Sequence, residues 1–172
     1  MIDWDEILEA HGPMVWRTVY RLLGRHADAL DCYQETFLAA YRSAGRGPVA
    51  HWPSFLTSLA TRRAIDRLRR RGRAGGRFDS LDDVPEPVGR GDSPAEVAEG
   101  AEYLDEVRGL LAGLPAKQAE VFWLSCVEAM PHQAIADQLQ IKAGEVRVLL
   151  HRARTRLQVA LRSRRPDSWR GR

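Results

Sequence analysis

Apolar residues recur every three or four positions along most of this chain, the spacing that gathers side chains on one face of an α-helix, and the alternation expected of a half-buried strand is scarce. That periodicity predicts an all-α fold. From Ile2 to Leu23 it is carried by Trp4, Ile7, Leu8, Val15, Trp16, Val19, Tyr20 and Leu23 around Gly12-Pro13, which leaves two short helices or one kinked helix open. A second helix is predicted from about Asp28 to Ser43. Leu30, Tyr33, Phe37, Leu38 and Tyr41 form its apolar stripe, Asp28, Asp31, Gln34 and Glu35 its other face, and Gly45-Arg-Gly-Pro48 its stop. A third begins near Pro53, a favoured first-turn residue, and carries Phe55, Leu56, Leu59, Ala60, Ala64, Ile65 and Leu68 before Arg-Gly-Arg-Ala-Gly-Gly ends it.

The rhythm then stops. Phe78 to Glu102 holds Asp79, Asp82, Asp83, Glu86, Asp92, Glu96, Glu99 and Glu102 against Arg90, with Pro85, Pro87, Pro94 and several glycines, and reads as an extended linker turning helical near Pro94. Beyond it, Leu104, Val107, Leu110 and Leu111 mark a helix ended by Gly113, and Pro115 opens another with Ala119, Phe122, Trp123 and Cys126. Pro131 to Leu139 forms a short helix with Ile135, Ala136 and Leu139 inward. After a tight connection from Gln140 to Ala143, a long helix starts at Gly144 and keeps its period through Val146, Leu149, Leu150, Ala153, Leu157 and Leu161. Two helices joined by so short a turn make a helix-turn-helix candidate. The 172 residues thus divide into two small helical domains, 1–76 and 102–163, joined by an acidic flexible linker, 77–101, and followed by a basic tail, 164–172.

Charge is segregated along the chain more than it is unbalanced: 26 basic residues face 23 acidic ones, but Arg62, Arg63, Arg67, Arg69, Arg70, Arg71, Arg73 and Arg77 are opposed locally by Asp66 alone. Such a run seeks a polyanion or is merely solvated. The last helix repeats the theme with Arg147, His151, Arg152, Arg154 and Arg156, and two basic elements in one small protein favour nucleic acid. Lys142, Glu145, Arg147, Val148, His151 and Arg152 are the positions from which a recognition helix would meet base edges and phosphates. Trp52 and Phe55, at the start of the arginine-bearing helix, are placed either to stack on an unpaired base or to join the core.

Other classes are disfavoured. No nucleophile–base pair, phosphate-cradling glycine loop or metal-ligand cluster is visible, so neither an enzyme nor a cofactor is expected. His11, His26, His51, His132 and His151 are scattered and read as surface or capping residues, and Trp4, Trp16 and Trp123 as core. Cys32 and Cys126 lie far apart and read as reduced core thiols. Nothing resembles a signal sequence or a membrane span, so a cytoplasmic protein is expected.

The segment Asp28-Ala-Leu-Asp31-Cys-Tyr-Gln34-Glu35-Thr-Phe37-Leu-Ala-Ala-Tyr41 resembles region two of extracytoplasmic-function sigma factors of the sigma-70 family. Trp52-Pro-Ser-Phe-Leu56 through Ala64-Ile-Asp66-Arg-Leu-Arg69-Arg resembles the promoter-melting helix that follows it. Leu114-Pro115, Gln118, Glu120-Val-Phe, Ile135-Ala136, Leu139, Ile141, Gly144, Val146, His151-Arg-Ala-Arg154 and Leu157 resemble region four. The resemblance implies a factor that lends promoter recognition to bacterial core RNA polymerase. Asp31, Gln34 and Glu35 would dock on the clamp helices of the largest polymerase subunit. Trp52, Arg62, Arg63, Arg67, Arg69 and Arg70 would hold the strand opened at the minus-ten element, and the helix-turn-helix would read the minus-thirty-five element of promoter DNA. The acidic linker would thread the positively charged RNA channel, and an anti-sigma factor is a further implied partner.

The sequence also departs from the family pattern. Arg62 stands where an Asn is usual, and the helix-turn-helix carries Ala134, Gln140, Glu145, Arg147, Val148 and Leu149 in place of the usual polar set. Glu145 repels phosphate yet can accept from a cytosine amine, so it either specifies a base or weakens DNA binding. Two alternatives follow: a stand-alone helix-turn-helix regulator, or a sigma-like interaction module that has lost promoter reading and titrates polymerase or an anti-sigma protein.

Overall fold

The computed structural model describes residues 2–74 and 94–164, and for 94–103 and 164 the backbone alone. The greater part of the acidic linker, Arg77 and the tail from 165 lie outside the described residues. Among those described there are seven helices and no strand: α1 (Trp4–Leu23), α2 (His26–Ala44), α3 (Trp52–Arg73), α4 (Pro94–Gly113), α5 (Ala116–Cys126), α6 (His132–Leu139) and α7 (Ala143–Arg164). The helical turn expected near Pro94 is the start of α4, eight residues inside the segment read as linker.

Local chemistry sets the ends. The Asp3 carboxylate accepts from the backbone N–H of Asp5 and Glu6 at 3.0 and 3.2 Å, satisfying orphan donors of the first turn of α1. Gly24 closes the helix in the left-handed region, its N–H donating to the Tyr20 carbonyl. Between these ends Gly12-Pro13 does not divide the helix. Proline forfeits one backbone bond, but Ile7, Val15, Val19 and Leu22 are buried on both sides of it and hold one continuous rod. Gly12 is buried where a Cβ would come within 2.7 Å of the Tyr33 hydroxyl, so its missing side chain lets α2 approach. His51 caps α3 by accepting from the Ser54 N–H through Nδ1.

The stripe expected on α2 divides: Phe37 is buried and Tyr33 half-buried against the core, while the rest faces outward. Its buried face is made of Ala29, Cys32, Thr36, Phe37 and Ala40, whereas Leu30, Leu38 and Tyr41 are exposed, the last at 61%. Small side chains three, four and seven apart let α2 lie close against α1 and α3, which excludes the larger residues on the neighbouring arc. Cys126 likewise departs from expectation: Cys32 is buried, but Cys126 is exposed, 3.5 Å from the Arg154 guanidinium.

α3 is the central element. It packs against α1 and α2 and also against α4, α5 and α6, and Leu56, Ala60, Ala64, Ile65 and Leu68 are wholly buried along it. The core of the first three helices therefore continues into Leu111, Leu114, Ala119 and Trp123 of α4 and α5. A second core of Val121, Leu124, Met130, Ile135, Ala136, Val146 and Leu150 binds α5, α6 and α7 together. In the α6–α7 turn Gln140 takes φ 53°, and Ile141 donates to the Ala136 carbonyl at 3.0 Å. No helix among the described residues is long and apolar enough to cross a membrane.

Candidate nucleic-acid interface

The carboxylates of α2 and the arginines of α3, separate groups in the sequence, meet in space. Arg67 donates to the Asp28 carbonyl at 2.9 Å, to Asp31 at 3.4 Å and to Glu35 at 3.3 Å, while Arg63 pairs with the other Glu35 oxygen at 3.6 Å. Arg71 extends this network to Asp28 and the Leu23 carbonyl. Two turns of α2, from Asp28 to Glu35, face the i, i+4, i+8 series of α3 that runs Arg63, Arg67, Arg71, so opposite charges interleave where the helices touch. Two of the arginines expected on a nucleic-acid strand, Arg63 and Arg67, are thus partly neutralised. Arg62 and Arg70 are exposed, and Arg69 is half-buried.

On α2, Asp31 and Gln34 are exposed and Glu35 is half-buried between its arginine partners. Leu30, Gln34, Leu38 and Tyr41 fall at spacings of four, four and three and share one exposed face. Sequence reading assigned these apolar residues to the core; only the tertiary packing shows them facing out. Trp52 is half-buried, edge-on to Trp4 at 5.5 Å and to Phe55 at 6.0 Å, so its ring is braced by a cluster rather than free.

All six residues expected on the recognition face are exposed: Lys142, Glu145, Arg147, Val148, His151 and Arg152. They surround the first three turns of α7, opposite Val146, Leu150 and Ala153, which anchor it. The backbone N–H of Glu145 and Val146 close on the Lys142 carbonyl. Glu145 in this first turn has a favourable place in the helix dipole whatever it does to DNA. Among the described residues no group of His, Cys, Asp and Glu is arranged to hold a metal ion.

Three polar residues that sequence reading gave no role lie where the halves join. Arg108 of α4, buried to 5% exposure, donates from Nε to the Arg21 carbonyl at 3.1 Å and from Nη1 to Asp105 at 2.6 Å. Glu128, just past α5, accepts from Thr18 of α1 at 3.0 Å and from the Trp123 indole at 2.9 Å. Glu120 of α5 is buried; burial pushes its carboxyl up to about 7, against the pull of Arg62, Lys117 and Arg69. Their partners on α1 and α3 are tens of residues away in sequence, so no local pattern announces these contacts.

Residues 7–74 match the family model for Sigma-70 region 2, and residues 104–157 that for Sigma-70 region 4. The ECF RNA polymerase sigma factor SigD of Mycobacterium tuberculosis is 33% identical over 165 residues, covering 88% of this chain and 74% of SigD. The chain belongs to the extracytoplasmic-function sigma factors. The ferric citrate uptake sigma factor FecI of Escherichia coli is similar to this sigma factor at 30% identity, over 88% of the chain and 87% of FecI. The ECF sigma factor SigE of Mycolicibacterium smegmatis is 30% identical over 91% of the chain, which spans 61% of the length of SigE. In fold, this sigma factor is like RpoE of Bartonella quintana, solved with the anti-sigma factor NepR. That match has a TM-score of 0.58 at 20% identity and covers 95% of this chain and 99% of RpoE. Membership accounts for both basic elements together, and as a sigma factor the protein is an initiation factor and not an enzyme.

Proposed function

We propose that this sigma factor directs promoter-specific initiation by bacterial core RNA polymerase in the cytoplasm. The first module, 1–76, docks through the exposed face of α2 and holds the opened minus-ten strand along α3; the second, 102–163, reads the minus-thirty-five element with α7. The observation that carries this reading is the match to region two and region four in the family's order on one chain, each bearing an exposed basic surface. Docking uses Asp31, Gln34 and Glu35, and the apolar Leu30, Leu38 and Tyr41 beside them suit a protein partner better than water. Arg62, Arg69 and Arg70 contact strand phosphates, with Trp52 at the same helix's start. Arg63 and Arg67 contribute to the same positive field while bracing α3 on α2. On α7, Lys142, Arg147, His151 and Arg152 hold phosphate or base edges, and Glu145 and Val148 suit a cytosine amine and a thymine methyl respectively.

An anti-sigma factor is a fitting partner, because the RpoE to which the fold is similar was solved bound to one. The experiment is run-off transcription by core polymerase with and without the protein on a library of upstream sequences, with the products sequenced. New start sites sharing two spaced elements are the expected result. Core binding without new starts would favour a titrating module, and duplex binding without core binding a stand-alone regulator.

A further inference from the structure

Within the second half of the chain, α5 and α7 enclose a cleft of about 360 Å3, lined by Gln118 of α5 and by His151, Arg152, Thr155 and Arg156 of α7. Sites for small ligands begin at about 300 Å3. Helical spacing builds the α7 wall: His151 and Thr155 are four residues apart, as are Arg152 and Arg156, so two neighbouring rows face the same way. Like charges four apart destabilise a helix, and none of the lining residues is acidic.

The other wall is the start of α5. Its N-cap, Pro115, makes no side-chain hydrogen bond to the helix, so the N–H groups of Ala116 and Lys117 receive no cap and the positive end of the helix dipole stands open. Lys117 is exposed and adds its charge there. Between the walls Gln118 is only 6% exposed, and its Oε1 is buried without a hydrogen-bond partner. That oxygen has lost water without replacement, a cost that a ligand donating to it would offset. The groups present therefore select a ligand by its chemistry. Two guanidiniums, an imidazole and a helix start donate to oxyanions, phosphate above all. Gln118 Oε1 can only accept, so the ligand also carries an O–H or N–H close to its phosphate. The phosphodiester and deoxyribose of a DNA backbone offer no such donor, whereas ribose has its 2′-hydroxyl.

We propose that the cleft between α5 and α7 binds a ribonucleotide, its phosphates on Arg152, Arg156 and the start of α5, and a ribose hydroxyl or base amine on Gln118 Oε1. His151 and Arg152 also belong to the face that meets DNA in the function proposed above, so the bound ligand lays negative charge on that face and competes with DNA for it. The competition rests on that function; the binding itself does not.

The test is titration of the full chain, labelled with nitrogen-15, with GDP followed by NMR. GDP should bind saturably with a Kd of about 0.1 mM or tighter, shifting the amides of Ala116, Lys117 and residues 151–156 and the side-chain amide of Gln118. Orthophosphate, which meets the cations but leaves most of the cleft empty, should bind about tenfold more weakly or worse. Gln118→Leu should weaken GDP about tenfold and leave orthophosphate unchanged; because it removes a buried unpartnered oxygen, it should fold at least as stably as the parent. Arg156→Gln, at an exposed site, should weaken both ligands. No saturation at about 10 mM GDP, affinity that ignores either variant, or shifts confined to other residues overturns the proposal. So does an oligouridylate without a terminal phosphate that binds more tightly than GDP, which would give the cleft to RNA. If Gln118→Leu fails to fold, Arg156→Gln and the orthophosphate comparison decide. Fluorescence anisotropy of a labelled DNA duplex at low salt keeps the two readings apart. GDP should displace the duplex from the parent, and at the same concentration should fail to displace it from Gln118→Leu. A duplex that stays bound under saturating GDP overturns the competition. A duplex that never binds the chain counts against DNA reading by α7, while the NMR titration still decides the site.

Discussion

Gly24 and Gln140 both end a helix with a positive φ, 69° and 53°, and only the first is a glycine. At Gly24 any side chain meets the left-handed penalty of about 1–2 kcal/mol and displaces the Arg108 guanidinium as well. Gly24→Ala should therefore destabilise by about 2–3 kcal/mol in urea unfolding, and a loss under about 0.5 kcal/mol would mean that Arg108 is not held there. At Gln140, which is exposed, the penalty is present without a compensating contact. Gln140→Gly should stabilise by about 0.5–1 kcal/mol, the left-handed cost less the extra chain entropy of glycine, read as a rise in melting temperature. The thiols differ too. Burial pushes Cys32 up to about 11 despite the pull of Arg67, so at pH 8 iodoacetamide should modify Cys126 in the native protein and Cys32 only after denaturation, as counted by mass spectrometry.

Among elements, α2 and α3 carry the proposed binding surfaces and are tied to each other by the Arg63, Arg67 and Arg71 pairs. Exposed and half-exposed pairs of this kind contribute about 1 kcal/mol or less each, so the docking face can be altered without unfolding the module. Leu38→Ala should shift stability by no more than about 0.5 kcal/mol, because its side chain faces solvent, and Tyr41→Ala by about 1 kcal/mol, because it gives up a ring contact with Trp4 at 5.3 Å. The same pair should weaken capture by core polymerase about tenfold or more, since truncating buried interface anchors costs over about 1 kcal/mol each. Gln34→Ala with Glu35→Ala should weaken it in the same assay. On α3, Arg69→Gln with Arg70→Gln should flatten the salt dependence of promoter opening by about 1.4 in slope, two single-strand phosphate contacts. Permanganate footprints of the opened bubble should fade in parallel; an unchanged bubble would remove these arginines from the strand.

At the scale of the whole molecule the decisive feature is that the core of α1, α2 and α3 reaches Trp123 in α5. Unfolding one half therefore exposes apolar surface of the other, and the halves should melt together. Circular dichroism and tryptophan fluorescence should trace one transition. Two separated transitions would show that the cores are independent.

Much of this architecture is written in local spacing. Periodicity placed every helix within a few residues, Pro53, Pro115 and Pro131 marked three starts, and the basic face of α7 followed from its anchors at Val146, Leu150 and Ala153. The continuity of α1 through Pro13 was not local, because the residues that enforce it are buried by other helices. Nor was the outward turn of Leu30, Leu38 and Tyr41, since a helix with apolar residues on two arcs does not say which arc will be covered; the small residues of the other arc decided it by allowing closer packing. Pairings such as Arg67 with Glu35, Arg108 with the Arg21 carbonyl and Thr18 with Glu128 depend on long-range approach. The sequence by itself determined the helices, their caps and the signs of their surfaces, because those are set within a turn or two of chain. Tertiary structure alone decided which faces remain in water and that the two halves close on one another, because burial is a property of neighbours that the chain brings together only when it folds.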